Sequence, residues 1–129
     1  MLQVHEVHHI AIICSDYERS KQFYTGVLGL KIIRETFRAE RRSFKLDLAL
    51  GDRYCIELFS FPDPPRRPSQ PEAAGLRHLA FSVTNLADAV ASLQAQGILT
   101  EPIRTDELTG RRFTFLQDPD QLPIELYEQ

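Results

Sequence analysis

The chain lacks any apolar run near the roughly 20 residues that cross a bilayer; one of its longer ones, Ile10 to Cys14, spans only five. Gln3, His5 and Glu6 also interrupt the apolar stretch that a leader peptide would need. Nor is there an excess of positive charge. Fifteen Lys and Arg against 18 Asp and Glu give a net charge of −3, with a pI near 5.8. That balance supplies no field for gripping nucleic-acid phosphates. Cysteine is scarce as well: Cys14 and Cys55 are the two present, both inside apolar runs and without CxxC spacing. Neither a disulfide framework nor a thiolate zinc site is therefore indicated, and both residues read as small buried hydrophobes. These absences together point to a soluble cytoplasmic protein with neither nucleic acid nor membrane as a partner.

What is present suits one compact domain: 129 residues, 43% apolar, with 8 Phe and 4 Tyr. Twelve of the 15 cationic residues are Arg, the side chain suited to bidentate capture of carboxylate or phosphate.

Along the chain, Val4 to Cys14 is rich in Val and Ile and reads as a strand, broken at Ser15-Asp16. Ser15 with Glu18 three residues later matches a capping box, and Phe23, Val27 and Leu28 continue at helical spacing. Gly29 stands where a C-terminal cap belongs. Strand-like segments follow at Leu30 to Phe37, Ser43 to Leu50 and Arg53 to Phe61, the last two joined by the turn Gly51-Asp52. The first half is thus β-α-β-β-β. Prolines at 62, 64, 65, 68 and 71 forbid a central strand and mark a linker. Beyond it, Leu76 to Val83 reads as a strand and Leu86 to Gln96 as a helix closed by Gly97. Strands are expected again at Ile98 to Thr105, Arg111 to Gln117 and Leu122 to Glu128, with Asp118 to Gln121 as the last turn.

The same order has come round twice. His9-Ile10-Ala11-Ile12 corresponds to His78-Leu79-Ala80-Phe81 at an offset of 69, and Ile56-Glu57-Leu58-Phe59 to Ile124-Glu125-Leu126-Tyr127 at 68. Two matches at nearly one offset, on corresponding strands, indicate a duplicated module. The expected architecture is α+β, with a first βαβββ module over 4–61, a linker over 62–75 and a second βαβββ module over 76–129.

The repeat sets one His and one Glu at equivalent points of both modules, each a lone polar residue in an apolar strand. A buried unpaired carboxylate costs several kcal/mol, so such groups turn neutral, pair with a cation or bind a metal. His9, Glu57, His78 and Glu125 make an N2O2 set for one divalent ion, and imidazole with carboxylate suits Zn, Ni, Co, Fe or Mn alike. The blander alternative keeps both His in the core and both Glu on solvated sheet positions, but it leaves their recurrence unexplained. Strand alternation turns His8 and His9 to opposite faces, and the repeat selects His9. His5 has no counterpart and is assigned to the surface, while Cys55 shares the parity of Glu57.

These residues resemble the vicinal oxygen chelate superfamily of glyoxalase I, methylmalonyl-CoA epimerase, fosfomycin- and bleomycin-resistance proteins and extradiol dioxygenases. The carriers are HHIAIICSD, FYTGVLGL, YCIELF, GLRHLAFSV and RFTFLQDPDQLPIELYE, which together span essentially the whole chain. The resemblance implies paired βαβββ modules whose curved sheets form a metal-containing cleft, with His9, Glu57, His78 and Glu125 as ligands. Glu57 is similar to the glyoxalase I branch, since the dioxygenase and fosfomycin branches usually lack it. Two positions depart: glyoxalase I enzymes typically hold glutathione through an Arg four residues after the first ligand His and an Asn four after the first ligand Glu. Here these are Ile13 and Phe61. The closing turn also reads DPDQ where the family usually has DPDG.

What the resemblance implies is a divalent-metal-dependent lyase or isomerase, similar to lactoylglutathione lyase, that abstracts a proton next to a carbonyl and stabilises an enediolate. The substrate is a small molecule other than a glutathione adduct. Glu125 is the implied base, with Glu57 as the alternative or its partner. Arginines 34, 38, 41, 42, 66 and 67 flank the cleft-forming segments and suit an anionic substrate. The other readings are an Fe(II)-dependent oxygenase of the same architecture and a non-catalytic binding protein of the bleomycin-resistance kind. The expected partner is a second copy of the chain in a homodimer, with modules paired within one chain or exchanged between two.

Overall fold

The computed structural model describes residues 1–129, which divide into two units, Met1–Pro65 and Arg66–Gln129. No helix is long and apolar enough to cross a membrane.

In the first unit β1 (Ile10–Cys14) leads to α1 (Tyr17–Gln22), which runs on as a π turn over Phe23–Val27. Then come β2 (Lys31–Arg38), β3 (Ser43–Leu50) and β4 (Arg53–Ser60). The sheet order is β1-β4-β3-β2, with β1 parallel to β4 and the other pairs antiparallel. Its apolar face follows from the two-residue period of a strand. Leu46 pairs with Leu58 and Leu48 with Ile56 across β3 and β4, and all four are sealed from solvent together with Tyr24. The helix α1 packs on β4.

The second unit repeats the plan with β5 (Leu79–Val83), α2 (Leu86–Ala95), β6 (Arg104–Thr105), β7 (Arg112–Gln117) and β8 (Pro123–Glu128). The order is β5-β8-β7-β6, and β5 again runs parallel to β8. Leu86, Leu116, Ile124 and Leu126 form the buried side, and α2 packs on β8. The α+β class and the doubled βαβββ order are as the sequence implies.

Four local expectations are corrected. Residues 4–9 form no strand, because β1 begins only where pairing with β4 begins, at Ile10 with Ile56. The first helix is capped by Asp16 rather than Ser15: Asp16 Oδ1 accepts from the Arg19 backbone N–H at 3.2 Å. Ile98 to Thr105 shrinks to the two residues of β6, since only Arg104 and Thr105 find ladder partners on β7. Leu76 to Val83 likewise starts at Leu79, where β8 becomes available.

In the last turn Asp118 Oδ1 accepts from the backbone N–H groups of Asp120 at 2.8 Å and Leu122 at 2.9 Å. That bracket holds Gln121 at φ 68, in the left-handed region. A side chain there costs about 1 kcal/mol relative to glycine. Gln121→Gly should raise stability by about 1 kcal/mol in urea unfolding, and no gain would show that the turn is unstrained.

Glu35 on β2 ties the helix to the sheet, accepting from Lys21 Nζ at 2.7 Å and from the Tyr17 hydroxyl. The hydrogen bond from Lys21, followed by that from Tyr17, holds its carboxyl below the ordinary value. A depressed carboxyl stabilises the fold above its unfolded pKa of about 4.3 and loses that contribution as pH falls through the folded value. Glu35→Gln should therefore lower stability by up to about 1 kcal/mol at pH 7, and by less as pH is lowered towards about 2.5. Chemical denaturation at the two pH values measures the difference.

Candidate functional site

Because β4 alternates, the residue between Ile56 and Leu58 must emerge on the sheet face opposite the core. That residue is Glu57, flanked in register by Ala11 on β1 and Asp47 on β3. The second unit does the same with Glu125 between Ile124 and Leu126, flanked by Ala80 and Phe115. An alanine beside each glutamate keeps the space above the carboxylate open.

In the first unit His9 Nε2 lies 3.4 Å from Glu57 Oε1. In the second, His78 Nε2 lies 3.9 Å from Glu125 Oε2. The carboxylates are mostly covered, at 15% and 16% exposure, and the imidazoles lie further out, at 35% and 29%. Nitrogen and oxygen donors at about 2.1 Å from one ion stand roughly 3.0 to 3.4 Å apart. The His9–Glu57 pair, at 3.4 Å, reaches that spacing, whereas the His78–Glu125 pair, at 3.9 Å, is wider than two ligands of one ion. Within either unit, no three His, Cys, Asp or Glu side chains gather as a metal centre would require. Each pair joins an imidazole nitrogen to a carboxylate oxygen, donors of the kind that suit a divalent ion.

The surroundings of the two pairs differ. Glu57 is held by several donors: the Tyr54 hydroxyl at 2.6 Å and Lys45 Nζ at 3.5 Å, besides His9. Burial pushes its carboxyl up, but the Tyr54 hydrogen bond and the neighbouring His9 and Lys45 outweigh it, leaving the group below the ordinary value. Asp47, only 4% exposed, shares these partners, with Tyr54 at 3.2 Å and Lys45 at 3.4 Å, and adds Arg34 at 3.4 Å. Tyr54 itself is kept protonated by burial and by its bond to Glu57. Glu125 has His78 as its one ion-pair partner, and the His78 ring stands edge-on to Phe115 at 5.1 Å. This pair opens on a hollow of about 1050 Å³, whose lining includes Arg67, Arg104, Phe113 and Phe115.

The expectation that His8 and His9 point to opposite faces fails. Their Nδ1 atoms are 2.8 Å apart, and both rings rest against Tyr54. Both precede β1, where no ladder enforces alternation. The contact occupies His9 Nδ1 and leaves Nε2 turned to Glu57, which fixes the orientation of the ring. His5 is exposed, as expected, and Cys55 is a half-buried free thiol pushed up by burial.

Tyr54, Lys45 and Asp47 were not singled out by sequence. The repeat finds only what recurs, and Leu122 stands in the second half where Tyr54 stands in the first. Strand parity is the signal that could have found Asp47 and Lys45, which share the open face with Glu57.

The description of the family model matching residues 6–126 is Glyoxalase/Bleomycin resistance protein/Dioxygenase superfamily. The uncharacterized protein YwkD of Bacillus subtilis is 68% identical over 95% of this chain and 96% of its own length. A glyoxalase family protein from Enterococcus faecalis is 50% identical in structure-based comparison, with a TM-score of 0.88 over 95% of this chain and 97% of that one. Lactoylglutathione lyase of Salmonella typhimurium is 31% identical over 93% of this chain and 90% of its own.

Lys45 is the cation shared by two covered carboxylates, so Lys45→Met should destabilise the chain by about 1 to 3 kcal/mol. Adding Asp47→Asn should restore about half of that loss. Urea unfolding of the single and double variants measures the coupling, and additive effects would show that the three groups do not act as one network.

Proposed function

The chain belongs to the Glyoxalase/Bleomycin resistance protein/Dioxygenase superfamily, and on that premise we propose that it is a divalent-metal-dependent lyase or isomerase acting on a small carbonyl compound that carries no glutathione. One observation carries the proposal: both units set a histidine nitrogen beside a glutamate oxygen on an open sheet face, at positions equivalent in the repeat. His9, Glu57, His78 and Glu125 are the ligands, two from each unit. An ion held there supplies positive charge to oxygens that become negative when a proton leaves the neighbouring carbon.

The two glutamates differ in role. Glu57, gripped by Tyr54 and Lys45, is the fixed anionic ligand. Glu125, with no donor but His78, is free to swing and take the proton from the substrate carbon. His8 holds the His9 ring through Nδ1, and Phe115 packs against His78. Against a glutathione adduct stands the apolar replacement at the two departing positions. Ile13 shares the face of Phe59 through its register and is 55% exposed, and Phe61 stacks on Phe59 at 6.1 Å. We assign the working form to a homodimer in the cytoplasm, a size that sedimentation of the purified chain reads directly.

The test is a screen of small carbonyl compounds against protein reconstituted with Zn, Ni, Co, Fe or Mn, with deuterium exchange at the substrate carbon as readout. Glu125→Gln should keep at least half of the bound metal and lose exchange by at least about 100-fold. His9→Ala and His78→Ala should each lower metal content. Unchanged exchange in Glu125→Gln removes the proposed base; activity strictly dependent on oxygen would instead indicate an oxygenase.

A further inference from the structure

Of the arginines that sequence sets near the open faces, Arg34 is turned to Asp47, and Arg67 donates to the backbone carbonyls of Leu76 and Arg77. Arg38 is different. It is half-buried at the end of β2, and its guanidinium lies over the rings of Phe59 at 4.8 Å and Phe61 at 5.6 Å. Its one hydrogen bond runs from Nη2 to the sealed Ser43 hydroxyl at 2.8 Å, and no carboxylate pairs with it. Its Nε–H is buried without an acceptor. A permanently charged guanidinium is costly to leave partly unmet, and with Nε sealed the fork left for an oxyanion is its outer Nη1 and Nη2 edge.

Register places this fork relative to Glu57. Arg38 pairs with Ser43 on β3, two residues from Lys45, which pairs with Phe59; Asp47, two residues further, pairs with Glu57. Every second residue shares a face, so Arg38, Phe59 and Glu57 stand on the same side of the sheet. Two such steps along β3 amount to about 13 Å, part of which the long Arg38 side chain closes where it lies on Phe59. The spacing suits a molecule of a few carbons with an oxyanion at its far end.

We propose that Arg38 is a specificity-determining residue that binds a carboxylate or phosphate of the substrate, with Phe59 and Phe61 holding its guanidinium in place. The substrate class is then a small anionic carbonyl compound. The placement rests on the metal-dependent reading given above, but the binding itself needs no metal, so the two can fail separately.

The experiment uses the full chain with divalent metal removed by chelation. Chemical shifts of the arginine Nε–H groups are followed on titration with succinate, with inorganic phosphate and with neutral acetamide. The Arg38 signal, assigned by its absence in Arg38→Met, should move with at least one of the two anions and stay still with acetamide; which anion binds more tightly distinguishes carboxylate from phosphate. Arg38→Met should weaken that binding at least tenfold and Arg38→Lys by less, with thermal unfolding confirming that both variants fold. An unmoved Arg38 signal, or equal binding by Arg38→Met, overturns the proposal. So does a change in sedimentation in Arg38→Met without a change in anion binding, since that would assign Arg38 to a contact between copies. Anion binding intact with no exchange at the substrate carbon after any of the metals is restored would overturn the metal-dependent reading alone.

Discussion

The two-residue period of the central strands is the constraint on which the rest depends. In β4 and again in β8 a single glutamate stands between two branched aliphatic residues. Burying Ile56 and Leu58, or Ile124 and Leu126, forces the residue between them onto the other face. A slip of one residue in either strand would put a carboxylate in the core and two large apolar side chains in water, so core and site fix one register. Parallel pairing then brings up an alanine beside each glutamate, and the chain entering that strand delivers the histidine.

Much of this was legible because it is periodic. Alternation around Glu57 and Glu125, helical spacing after Asp16 and the nearly constant offset between the halves are patterns that survive without knowledge of tertiary contacts. What escaped depends on partners. Val4 to His9 finds no ladder partner, and Leu99 to Ile103 meets β7 at one residue, where the Glu101 backbone N–H donates to the Phe115 carbonyl at 2.9 Å and the Glu101 carbonyl accepts from the Thr114 hydroxyl at 2.7 Å. Asp16 took the cap from Ser15, although both have a suitable oxygen one residue apart. His8 and His9 share Tyr54 because alternation does not reach beyond the ladder. The cluster around Lys45 was invisible to a comparison that looks for recurrence, since it exists in one unit only.

The open faces also differ in what surrounds the conserved plan of the repeat. In the first unit, β3 lays down a row of Ser43, Lys45 and Asp47 beside β4, each fixed by neighbours with complementary donors or acceptors. In the second, β7 lays down Phe113, Phe115 and Gln117 beside β8. One face is an electrostatic network and the other is largely aromatic. The same backbone register therefore carries two different local environments for the same side chain.

That difference bears on how the gene could change. Two halves descended from one module are often thought of as interchangeable, yet here each has become a specialist. Copying the first half over the second would give two carboxylates each held by a tyrosine and a lysine; the reverse copy would give two whose one ion-pair partner is a histidine. The asymmetry around Tyr54 means that the two halves, though built on one plan, no longer surround their glutamates alike.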